Sequence, residues 1–116
     1  MWRAQASQAQ ASAPLAGVDG LAFFGFPLHP AGKPSDDRAK HLSDVKIPML
    51  FLQGTRDALA ELTLLEPVVK RLGLAAMLHR VEAADHSFHV PARSGRNDRE
   101  VMDEILDAFA LWFDRL

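Results

Sequence analysis

The chain reads as an α/β protein built on a three-layer, mostly parallel sheet, and three observations lead there. Apolar runs recur near 21–26, 48–53 and 76–82, helical patterns alternate with them, and the first two runs are apolar at both odd and even positions. Strands of that kind are covered on both faces, which is the condition of a parallel sheet whose right-handed crossovers lay helices on either side.

Residues 2–11 alternate Ala with Gln, Ser and Arg and hold no Gly or Pro, so a short helix is predicted there, ending before Pro14 and Gly17. It opens without a Ser, Thr, Asp or Asn to cap it, as though the chain began in mid-element. The first strand follows in Leu21-Ala22-Phe23-Phe24-Gly25-Phe26 and stops at Pro27. Residues 27–46 contain three prolines and much charge, and read as loop with one helical turn at 37–42. Pro48 stands at the head of the second strand, where a missing N–H is tolerated, and Gln53-Gly54 halts it. Leu65, Val68, Val69 and Leu72 are spaced as one face of a helix; Thr63 with Glu66 fits a capping box, Pro67 should lie near the first turn, and Gly73 should end it. The third strand carries His79 and Arg80, as an edge strand does. Asn97, Asp98 and Glu100 start a last helix with an apolar face of Val101, Met102, Ile105, Phe109, Trp112, Phe113 and Leu116.

Three strands leave 21–26 short of a neighbour, so the sequence resembles the second half of a larger sheet, and copies are expected to associate through that strand. A length of 116 residues allows one domain. With 48% hydrophobic and 24% charged residues it should fold. Thirteen Lys and Arg against fifteen Asp and Glu leave no basic excess for a phosphate backbone, so a nucleic-acid partner is not expected. No apolar run approaches the roughly 18 residues of a membrane span, and no export signal is visible, which sets a cytoplasmic expectation. The absence of cysteine excludes disulfides, Cys-ligated metals and a Cys nucleophile within these residues.

Ligands of open α/β sheets bind at the carboxyl ends of the strands. Two residues stand there: Asp57, after Gln53-Gly54-Thr55-Arg56, and His86, within Ala84-Asp85-His86-Ser87-Phe88. A carboxylate that fixes one imidazole nitrogen leaves the other to take a proton from a nucleophile. Equally, Asp57 fits a turn-capping carboxylate and His86 an exposed loop histidine. Asp85, His86 and His89 also permit a metal site, but no further ligand is indicated, so neither metal nor cofactor is expected. His29 and His41 read as loop residues.

The stretch Ile47-Pro48-Met49-Leu50-Phe51-Leu52-Gln53-Gly54-Thr55-Arg56-Asp57, then a helix, a strand and Asp85-His86-Ser87-Phe88, resembles the C-terminal half of the α/β-hydrolase superfamily. Gly25-Phe26-Pro27-Leu28-His29-Pro30 with Gly32-Lys33-Pro34 resembles its dienelactone-hydrolase-like branch. The resemblance implies that Asp57 is the triad acid and His86 the base, in the order nucleophile, acid, histidine, acting on an ester or related acyl bond of a small molecule. No Gly-x-Ser-x-Gly occurs; Ser7, Ser12, Ser35, Ser43, Ser87 and Ser94 all lack its glycines. By the same resemblance, residues 2–11 match the rest of the helix that follows the nucleophile. The chain 1–116 is therefore expected to be a partial domain without the early strands, inactive alone. The alternative is a non-catalytic interaction module of the same fold, since fold does not fix function.

Overall fold

The computed structural model describes residues 18–29, 31–33 and 35–116. Three parallel strands, β1 (Leu21–Phe24), β2 (Met49–Gly54) and β3 (Ala76–Val81), form one sheet in the order β1-β2-β3. Leu21 pairs with Met49 and Phe24 with Leu52, while Met49 pairs with Ala76 and Gly54 with Val81. Helix α1 (Leu62–Leu72) connects β2 to β3, and α2 (Asp98–Phe113) follows β3. The helix expected at 2–11 lies outside the described residues.

Every residue of β2 is buried, because strands flank both its edges and hydrophobic clusters cover both its faces. Met49 and Phe51 point into one cluster with Phe23, Phe26, Leu28, Leu42, Leu65 and Val68. Leu50 and Leu52 point into the other with Val81, Ala84, Phe88, Val101, Ile105 and Trp112. The alternation of a strand is thus intact, and the run is apolar throughout only because neither face meets water. Packed rings mark the first cluster, with Phe23 5.1 Å from Phe26 and 4.8 Å from Phe51 between centroids.

Several local expectations are corrected. Strand β1 ends at Phe24, two residues before the predicted limit, since Gly25 turns the chain out of the ladder at φ +82°. The turn at 37–42 is a longer 3-10 helix, Asp37–Asp44, which buries Ala39 and Leu42. Helix α1 starts at Leu62 with Glu61 at its cap and no side-chain capping bond, so Thr63 is already helical and forms no box with Glu66. Pro67 consequently falls in the second turn, at the sixth helical residue; the bond its missing N–H forgoes is one to the Thr63 carbonyl. Gly73, at φ +70°, does end the helix.

Helix α2 begins as the sequence indicates, with Asn97 accepting from the Glu100 N–H and Glu100 accepting from the Asn97 N–H. Its apolar residues, however, fall into two stripes. Val101, Ile105 and Trp112 are buried against the sheet, whereas Met102 and Phe113 are 47% and 59% exposed; Leu116, expected on the helix face, lies past the end of the helix. Among the described residues no helix is long and apolar enough to cross a membrane.

Candidate active site

The carboxyl ends of β2 and β3 are laced together before any reactive side chain is placed. The Thr55 N–H donates to the Val81 carbonyl at 3.1 Å, the Arg56 N–H to that of Ala84 at 2.9 Å, and the Ala83 N–H to Thr55 Oγ1 at 2.8 Å. Gly54 permits this approach: a Cβ there would stand 2.2 Å from the Ala84 carbonyl oxygen.

Asp57 leaves this turn with its side chain wholly buried. A buried carboxylate must have its lone pairs answered. Oδ1 accepts from the Leu59 N–H at 2.8 Å, and Oδ2 accepts from Gln53 Nε2 and lies 2.7 Å from His86 Nδ1. The two residues singled out at the strand ends are therefore brought into direct contact. The His86 side chain remains 33% exposed, accessible to a reacting group.

The loop that presents His86 is tied internally. Asp85 Oδ1 accepts from the Ser87 and His89 N–H groups at 2.9 and 3.0 Å, and the Asp85 N–H donates to the His89 carbonyl at 3.0 Å. Ala83 and Phe88 bracket it in the left-handed region, at φ +65° and +63°, where side chains cost about 1–3 kcal/mol each. On its other side His86 packs on Gly25, where a Cβ would come within 3.2 Å of the imidazole Cε1. Beside the ring runs a groove of about 360 Å³ lined by Phe24, Ser87, Phe88, Met102 and Ile105, of small-ligand size. A separate cavity of about 600 Å³ between β3 and α2 is lined by neither Asp57 nor His86 but by another His–carboxylate pair, His79 and Glu104.

The remaining histidines have other partners. His89 Nδ1 lies 2.6 Å from Asp98 Oδ2, and that bond raises the imidazole above its ordinary value. Asp85 serves its own loop, and among the described residues no group of three ligating side chains converges on a metal position. His79 Nε2 is 2.6 Å from Glu104 Oε2; burial pushes the Glu104 carboxyl up, but its bonds to His79 and Arg96 bring it below the usual range. Burial holds His41 below its ordinary value. His29, expected as a plain loop residue, is instead fully buried: its Nε2 accepts from the Glu61 N–H at 3.1 Å, and its own N–H donates to the Leu59 carbonyl at 2.8 Å.

Sequence reasoning passed over Gln53 and Gly25. The available signal for Gln53 was a polar side chain closing a strand buried on both faces, which demands partners. A family model described as an alpha/beta hydrolase domain matches residues 3–114.

Proposed function

The chain belongs to the alpha/beta hydrolase domain family, and on that footing we propose that it supplies the acid and base of a serine-type hydrolase, of the dienelactone-hydrolase-like kind, acting on an ester or related acyl bond. The observation that supports this most is the 2.7 Å contact of Asp57 Oδ2 with His86 Nδ1 at the carboxyl rim of the sheet. Asp57 holds the imidazole as its Nδ1–H tautomer, leaving the Nε2 lone pair to take the proton of a serine hydroxyl as that oxygen attacks the acyl carbon. The buried carboxylate stabilises the imidazolium so formed. His86 then gives the proton to the leaving alkoxide and, in the second half, takes one from the water that releases the acid.

The serine sits on a Gly-x-Ser-x-Gly turn, which these 116 residues do not contain, so nucleophile and oxyanion donors belong to sequence outside them. In this reading the chain is a partial domain and silent alone. It is expected to hydrolyse p-nitrophenyl acetate no faster than an unrelated histidine-containing control. The in-frame coding sequence upstream should encode the missing motif, and the extended protein should show saturable turnover that Asp57→Ala and His86→Ala each lower by about 10⁴-fold. An upstream frame without the motif would favour the non-catalytic module. Saturable turnover by the 116-residue chain that survives His86→Ala would overturn the mechanism outright.

A further inference from the structure

We infer that Gln53 is a positioning residue whose side-chain amide, held at one end by the turn after β1, sets the orientation in which the Asp57 carboxylate meets His86. The inference rests on the reading of Asp57 and His86 as a working pair, and it adds a third residue, from the end of β2 itself. Gln53 is fully buried near the end of β2, where an apolar side chain of the same size would be the cheaper occupant. Both ends of its amide are used: Oε1 accepts from the Phe26 N–H at 3.2 Å, and Nε2 donates to Asp57 Oδ2.

The orientation of that amide is fixed by chemistry. Flipped, it would set an NH₂ against the Phe26 N–H and a carbonyl oxygen against a carboxylate, two clashes of like with like. The Phe26 N–H therefore selects which end faces Asp57, and it is available for this because Gly25 has already turned the chain out of the β1 ladder. Leu59 holds Oδ1 and Gln53 holds Oδ2, so rotation of the carboxylate is restrained at both oxygens before His86 contributes. Without Gln53, Oδ2, the oxygen that meets His86, would be held by His86 alone. The amide thereby joins the ends of β1 and β2 to the loop after β3 through one chain of bonds, from the Phe26 N–H to the His86 ring.

The test reads the tautomer of His86 in the ¹⁵N-labelled chain, by long-range ¹H–¹⁵N spectra at a pH alkaline enough for the ring to be neutral. The Nδ1–H form should predominate in the wild type and be lost in Asp57→Ala; no change in Asp57→Ala would sink the underlying pair. Gln53→Met, which keeps the volume and removes both amide bonds, should carry the tautomer most of the way to the Asp57→Ala state. Gln53→Glu keeps the acceptor for Phe26 but not the donor, so it should lose the tautomer while the Phe26 amide stays protected from exchange. A merely structural glutamine predicts lowered thermal stability with the tautomer unmoved, and that result, with Asp57→Ala effective, overturns the inference alone. Should neither variant fold, the wild type still decides: one Gln53 Hε2 proton should exchange slowly, and a freely exchanging NH₂ pair would refute its bond to Asp57.

Discussion

Gly54 is the residue at this site whose replacement costs most. A Cβ there would lie 2.2 Å from the Ala84 carbonyl oxygen and 2.7 Å from that of Asp85, both backbone atoms that no rotamer change can move. In Gly54→Ala the two loops must part, breaking the bonds from Thr55 and Arg56 to β3 and its loop. We expect a loss of about 3 kcal/mol and a melting temperature lower by about 10 °C or more; an unchanged melting curve would contradict the contact. Gly25→Ala should cost less, about 1–2 kcal/mol, from its left-handed backbone and the imidazole at 3.2 Å. These residues also mark the limit of what one sequence discloses. Asp57 and His86 stand out by position, each following an apolar run. Gln53 and Gly54 look like punctuation there, because their reasons, Phe26 and Ala84, are 27 and 30 positions away in the chain. His29 looks like loop for the same cause: the Glu61 N–H that it caps is 32 positions distant.

The elements were legible where periodicity and local caps decide them, as in the doubly covered β2 and the Asn97–Glu100 box of α2. They were misread where a tertiary partner replaces a local one, as at α1, whose Glu61 N–H is met by His29 rather than by a box of its own. The junction of the β3 loop with α2 offers a pH test. Asp98 accepts from the Val90 N–H and from His89, bonds that hold its carboxyl below the usual range, while the same pairing holds His89 above its own. The raised His89 contributes stability that is complete below its ordinary value of 6.5 and lost as pH rises through the raised one. The lowered Asp98 contributes stability that is present above 3.8 and lost as pH falls through the lowered value. The clasp is therefore fully formed between those two figures. His89→Ala should lower the melting temperature most near pH 5 and progressively less toward pH 9, and the pair is solvent-exposed, so added salt should shrink the difference. A difference that grows with pH would refute the assignment.

Seen as a whole, the molecule is asymmetric about α2. Toward β3 the helix presents Glu100, Asp103, Glu104 and Asp107, an acidic flank. Its opposite flank carries Met102, Leu106, Phe109 and Phe113, spaced four, three and four residues apart, which is the spacing of a helix–helix seam. Leu106 is 52% and Phe113 59% exposed, and Phe109 reaches Phe24 of β1 at 5.7 Å between centroids, so this seam adjoins the strand through which association was expected from the sequence. Burying these partly exposed side chains yields about 1 kcal/mol each, so four per copy give about 8 kcal/mol for a symmetric pair. Association costs about 4–15 kcal/mol, so these nearly balance, and self-association should be weak and concentration-dependent. The acidic flanks repel one another, which favours a closed pair through the apolar flank over an open chain of copies. Sedimentation velocity over a wide concentration range should show a monomer giving way to a larger species. Leu106→Glu with Phe113→Glu should abolish the shift, whereas Leu74→Glu, on the fully exposed turn after α1, should leave it unchanged. A wild type that stays monomeric at every concentration would show that the seam is too weak to close a pair, and equal loss in the Leu74 variant would show that the association has nothing to do with α2.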